Sequence, residues 1–148
     1  MASDRQKLPL GMIVGRMLHD MFKVFRKRIN ESSEIKLTIE QFGLLYRISI
    51  CSDYVIQQDM AYMLGKDKSS ILRLIDSLEK QGLIRRMVEP HDRRKKCLVV
   101  TDLGHKVIHQ YLDIEFALGE ELLAGLSGPE IETFHHVVRT IQKNAEEL

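Results

Sequence analysis

What this chain of 148 residues lacks narrows it quickly. No apolar run approaches the ~20 residues that a membrane helix needs, so no membrane partner is expected. The apolar stretch after Leu8 is broken by Pro9, Gly11, Gly15 and Arg16, which makes a poor signal peptide. Only two cysteines are present, Cys51 and Cys97, far apart and in no metal spacing. A disulfide scaffold is excluded, and two lone thiols that read as small buried hydrophobes suit a reducing cytoplasm. There is no phosphate loop, no G-x-S-x-G, no H-E-x-x-H and no paired-carboxylate pattern beyond ordinary helix surface. An enzyme is therefore not expected, and neither is a cofactor. Repeats, low-complexity tracts and linkers are absent too, so the chain reads as one domain, 1–148, large enough to bury a core.

Charge of one sign is also scarce, with a net of +1, but the total hides a gradient. Residues 1–56 carry +3, residues 57–101 carry +4, and residues 102–148 carry −6. An acidic tail beside phosphate would be repelled, so that tail is expected to face away from any nucleic acid.

What the chain does have is a series of amphipathic helices with clear stops. Leu10, Ile13, Val14, Met17, Leu18, Met21, Val24, Phe25 and Ile29 form a broad stripe on a helix from about Pro9 to Asn30. That stripe is either a core face or a face for a partner helix. Thr38-Ile39-Glu40-Gln41 is a capping box, with Leu37 stapled to Phe42, opening a helix to about Cys51. Gln57 to Leu64 is a short helix stopped by Gly65. Asp67 caps the next helix, whose buried face is Ile71, Leu74, Ile75 and Leu78. Gly82 closes it. Two short strands follow, Leu83 to Val88 and Cys97 to Thr101, joined by the turn Glu89 to Lys96. Thr101 can cap a long helix from Asp102 to about Ala124, with Val107, Ile108, Tyr111, Ile114, Leu118 and Leu122 on its apolar side. Ser127-Gly128-Pro129-Glu130 is a second capping box, stapled by Leu126 and Ile131, for a final helix.

Two helices joined by a turn with glycine are the sequence form of helix-turn-helix. A hairpin with a basic tip directly behind them is what a duplex-DNA reader needs. The helix can enter the major groove while the hairpin reaches the backbone or the minor groove. The expected fold is mainly α (α+β): a winged helix-turn-helix lobe over about 37–101 with a two-stranded wing, plus dimerisation helices over about 8–30 and 102–148. Ser69, Ser70 and Arg73 lie opposite the apolar face of the second helix, near its N-terminus, where hydroxyls and a guanidinium suit base edges and phosphate. A plain solvated face is the alternative. Arg93, Arg94, Lys95 and Lys96 are four consecutive cations at the hairpin tip. Lys68, Lys95 and Lys96 are expected on phosphates, where they add affinity but no sequence information. Asp92 is expected to orient a wing arginine or to hold the turn through its side chain.

These residues resemble the MarR (multiple antibiotic resistance regulator) family of winged-helix transcription factors. Asp92-Arg93-Arg94, then Leu98-Val99-Val100-Thr101 and Gly104, is similar to the family's D-x-R…L-T-x-x-G pattern, with Val100 where leucine is commoner. Leu37-Thr38-Ile39-Glu40-Gln41-Phe42 resembles its L-T-x-x-Q-hydrophobe opening, and Leu64-Gly65 and Leu78 to Ile84 fit as well. The match runs in element order over about 8–148. The resemblance implies a homodimer whose first and last two helices pack across a two-fold axis, carrying two DNA-reading lobes. It implies a repressor on a pseudo-palindromic operator, and Arg94 as the minor-groove residue. It also implies a small lipophilic effector in a crevice, for which His19, Phe22, Phe25, Tyr46 and Tyr111 are candidate lining residues that read equally as core. Relatives that sense peroxide carry a cysteine near the start of the first helix, and this chain has none there. His105 and His109 share a helix face and His135 and His136 are adjacent, but no third ligand is evident, so no metal site is expected. The alternatives to a DNA-binding regulator are a winged helix used only for protein contacts and a metal-responsive regulator.

Overall fold

The structure, a computed structural model, describes residues 9–51 and 55–148. The chain divides into two compact units, Met1–Ile114 and Glu115–Leu148. Leu8, the first residue of the expected dimerisation helices, lies outside the described residues.

In the first unit, α1 (Leu10–Ser32) starts behind Pro9, which serves as its N-cap instead of its first turn. Only Phe25 and Ile29 of its stripe are buried. Leu10, Met12, Ile13, Met17, Leu18 and Phe22 are exposed, so the N-terminal half of the stripe is not core within this chain. The capping box before α2 (Ile39–Ile50) forms as expected. The Gln41 backbone N–H donates to Thr38 Oγ1 at 3.1 Å, and the Thr38 N–H donates to Gln41 Oε1 at 2.8 Å. Leu44, Leu45 and Ile48 then point inward; burying each side chain of this kind contributes about 1.5–3 kcal/mol.

A two-residue strand, β1 (Val55–Ile56), precedes α3 (Gln57–Leu64). Gly65, at φ 59°, supplies the left-handed residue that ends α3. Helix α4 (Lys68–Lys80) follows from its N-cap Asp67 and buries Ile71, Ile75 and Leu78. Strands β2 (Ile84–Val88) and β3 (Lys96–Val100) form the hairpin, with Arg86 opposite Leu98 and Val88 opposite Lys96. Lys96 therefore belongs to a strand and not to the turn.

The sheet is three-stranded, in the order β1-β3-β2, because Val55 and Ile56 pair antiparallel with Leu98 and Cys97. The expected two-stranded wing is β2 and β3, and β1 is a further strand beside them that the sequence did not disclose. Two residues are too few to show alternation, and the pairing reaches some forty positions along the chain. Cys97 is fully buried in this sheet, whereas Cys51 is only half-buried at the end of α2 and donates to the Arg47 carbonyl. The reading of both cysteines as buried holds for Cys97 alone.

Helix α5 (Asp102–Leu122) begins at a tight crossing. Thr101 Oγ1 donates to the Gly82 carbonyl at 2.6 Å and accepts from the Gly104 N–H at 3.0 Å. Its backbone N–H donates to the Leu83 carbonyl. Further along, Tyr111 is fully buried against Phe25 and Phe42. Its hydroxyl accepts from the Leu37 N–H and donates to the Ile35 carbonyl, both at 2.7 Å, which fastens the loop between α1 and α2.

The second unit holds the end of α5 and α6 (Gly128–Glu146). The capping box Ser127/Glu130 opens α6 as expected, yet none of its residues is buried. Phe134, Val137 and Ile141 are exposed.

Candidate nucleic-acid interface

Helix α4 is divided cleanly by burial. Ile71, Ile75 and Leu78 anchor it, and Lys68, Ser69, Leu72, Arg73 and Asp76 are exposed on its other side. Arg73 makes no ion pair or hydrogen bond among the described residues. The serines are not idle. Ser69 Oγ donates to Asp67 Oδ1 and Ser70 Oγ to Asp67 Oδ2, each at 2.6 Å, and the Ser70 N–H donates to Oδ1 at 2.9 Å. Two hydroxyls and one backbone N–H thus converge on one carboxylate. These bonds, the Ser69 hydroxyl first, hold the Asp67 carboxyl well below the usual carboxylate range although it is fully exposed. Ser70 is half-buried, so Ser69 is the more accessible of the pair.

Beside α4, Gln57, Gln58 and Ala61 of α3 and Lys68, Ile71 and Leu72 of α4 line an open hollow of ≈ 360 Å³. Two exposed side chains here escaped the sequence reading. Leu72 is 40% exposed, one position beyond the apolar stripe, and offers a methyl-rich contact of the kind thymine accepts. Tyr62, at the end of α3, is 92% exposed. The only available signal was that neither fits the buried periodicity of its helix.

Arg86 was missed for a different reason. It belongs to β2, but its guanidinium pairs with Asp76 and Glu79 of α4, and its Nε donates to Gln57 Oε1 of α3 at 2.7 Å. Partial burial works against its charge, and the bonds from Asp76 and Glu79 more than offset that, leaving its pKa raised. This cation locks hairpin, α3 and α4 together and is not free for phosphate.

At the hairpin tip the Asp92 side chain holds the turn. Its Oδ1 accepts from the Arg94 N–H at 3.0 Å, while its carbonyl accepts from the Lys95 N–H at 3.0 Å. The Glu89 carboxylate accepts from the His91 N–H. Of the two roles open to Asp92, the structure displays turn-holding. Arg93, Arg94, Lys95 and Lys96 are all exposed, and none is paired with a carboxylate among the described residues.

Of the effector candidates, Phe25 and Tyr111 meet edge to face, but as part of the core and not around a crevice. His19, Phe22 and Tyr46 are exposed, with Tyr46 stacked on Phe42. A hollow of ≈ 410 Å³ is lined by Arg26, Ile29, Asn30 and Lys36 to Glu40, and by none of those five. His109 Nδ1 lies 2.8 Å from the His105 carbonyl oxygen, and no group of three His, Cys, Asp or Glu able to hold a metal occurs among the described residues. No helix among them is long and apolar enough to cross a membrane.

A helix-turn-helix backed by an antiparallel sheet with a basic hairpin is the winged-helix fold, and a winged-helix protein is what this chain is. Residues 37–96 match the model of the MarR family. A crystal structure of MarR is 25% identical, with a TM-score of 0.80, covering 99% of this chain and 97% of that one. The transcriptional regulator SlyA is also 25% identical, with a TM-score of 0.74 over 92% and 93% of the two chains. The S. aureus MepR–DNA complex is similar at 21% identity and a TM-score of 0.78 over 94% and 99%. The chain is thus similar to MarR-family regulators, in sequence over residues 37–96 and in fold over nearly its whole length.

Proposed function

We propose that this chain reads duplex DNA by sequence and represses transcription as a homodimer on a pseudo-palindromic operator. The observation that carries the reading is the state of its cations. Arg73 on the outer side of α4, and Arg93, Arg94, Lys95 and Lys96 at the hairpin, are exposed and unpaired among the described residues, while the nearby Arg86 is fully engaged. An unpaired arginine on a helix that fits the major groove, Arg73, suits bidentate contact with guanine, and Arg94 suits a narrow minor groove. MepR, of the same fold, has been solved bound to DNA. PcaV of Streptomyces coelicolor, 21% identical with a TM-score of 0.74 over 98% and 99% of the two chains, has been solved with its natural ligand, which supports control by a small effector.

The dimer reading rests on apolar side chains left in the open. Leu10, Ile13, Met17 and Phe22 of α1, and Phe134, Val137 and Ile141 of α6, are costly to hydrate on a lone chain. A two-fold pair would set two α4 helices about 34 Å apart, one turn of duplex.

Binding to duplex from the intergenic region upstream of the chain's own gene tests the reading. Affinity should fall steeply with salt, and Arg73→Ala should cost about 1–3 kcal/mol on the preferred site. Salt-independent binding, an unchanged R73A variant, or a stable monomer in sedimentation at micromolar concentration would each remove a part of it.

A further inference from the structure

We infer that Asp67 sets the hydrogen-bond polarity of the α4 hydroxyls, so that Ser69 reads amino groups on the bases and does not grip phosphate. The inference deepens the DNA-reading assignment and rests on it. A serine hydroxyl carries one proton and two lone pairs, and alone it can face a donor or an acceptor. Here both protons are committed, because Ser69 Oγ and Ser70 Oγ each donate to the same ionised carboxylate at 2.6 Å. That distance is typical of a charge-assisted O–H···O⁻ bond, which is roughly twice as strong as a neutral one. What Ser69 presents outward is therefore its lone pairs, made more basic by the bond behind them.

Phosphate oxygens only accept, so an acceptor hydroxyl gains nothing from them. In the major groove the donors are adenine N6 and cytosine N4, whereas guanine O6/N7 and thymine O4 accept. In that groove each base pair presents an amino group from one strand only. An acceptor at a fixed place on α4 thus distinguishes adenine or cytosine on the facing strand from guanine or thymine. Ser70, half-buried and bonded to Asp67 through both its hydroxyl and its N–H, completes the clamp.

Selection of random duplexes by the full-length protein, compared with Asp67→Gly and Ser69→Ala, tests this. Glycine is tolerated at a helix N-cap with little loss, so D67G folds. Without the carboxylate it frees the protons of both Ser69 and Ser70. Asparagine would not serve, because the Ser69 hydroxyl and the Ser70 N–H share Oδ1, which an asparagine cap keeps as a carbonyl. Wild type should show one position per half-site restricted to adenine or cytosine, by roughly 2–10-fold, the range of one hydrogen bond. S69A and D67G should both relax that same position and leave the rest of the consensus alone. Loss of the Asp67 charge should also raise affinity for all duplexes alike. An unchanged D67G consensus, variants that relax different positions, or guanine or thymine at the S69A-sensitive position overturns the inference. Failure of wild type to enrich any sequence overturns the DNA reading beneath it as well.

Discussion

Replacing Gly104 by alanine should destabilise this protein, although alanine is the better helix former. Gly104 lies in the first turn of α5. In a helix interior, alanine is favoured over glycine by about 0.8–1 kcal/mol. A Cβ at residue 104, however, would stand 2.2 Å from the Leu83 carbonyl oxygen and 2.7 Å from Val100 Cγ1. Even a weak C–H···O contact needs roughly 3.3 Å, so α5 must retreat by about 1 Å. The valine methyl can yield, but the carbonyl belongs to the backbone. It already accepts from the Thr101 N–H, and Thr101 Oγ1 bonds both Gly82 and Gly104. Retreat therefore weakens the cap of α5 as well. Overpacking costs about 1–3 kcal/mol and a lost cap about 1 kcal/mol. After the propensity gain, the net loss is about 1–3 kcal/mol, or a Tm lower by roughly 2–12 °C. Gly43 is the control. It sits in the middle of α2 with nothing within 4 Å of its Cβ position, so Gly43→Ala should raise stability by roughly 0.5–1 kcal/mol. Urea and thermal unfolding followed by circular dichroism measure both. If G104A and G43A shift stability in the same direction, the contact between α5 and the Leu83 carbonyl does not govern the crossing.

Tyr111→Phe keeps the ring among Phe25 and Phe42 but strands the buried Leu37 N–H and takes a donor from the Ile35 carbonyl. The cost should be about 1–3 kcal/mol in urea unfolding, and a change below ~0.5 kcal/mol would show that the loop finds other partners. Asp67 predicts a dependence on acid. Its carboxyl titrates lower folded than its ordinary value of 3.8, so its ionised form stabilises the fold above that value. The stability difference between wild type and Asp67→Asn should be full at neutral pH, fade as pH approaches 3.8, and keep shrinking below it. A difference that stays constant across that acid range would mean the charge of the cap is irrelevant to stability.

Much of the architecture was legible along the chain because its causes are local. The capping boxes at Thr38/Gln41 and Ser127/Glu130, the Asp67 cap and the stop at Gly65 all act within four residues. Helical stripes and the hairpin with its basic tip follow from side-chain periodicity for the same reason. The cation cluster of the interface was legible as composition, and its exposure follows from the cost of burying unpaired charge.

Tertiary structure decided what lies between distant positions. It placed Val55 and Ile56 against β3, and it brought Arg86 to Gln57, Asp76 and Glu79, which tied that arginine into the lobe instead of leaving it exposed. It also buried Tyr111 beside a loop some seventy residues earlier and left Leu72 outward on α4. Each of these depends on where a neighbouring element comes to rest in space. A single chain of letters carries the helix and its caps through bonds a few residues long, whereas partners across a fold are chosen by packing.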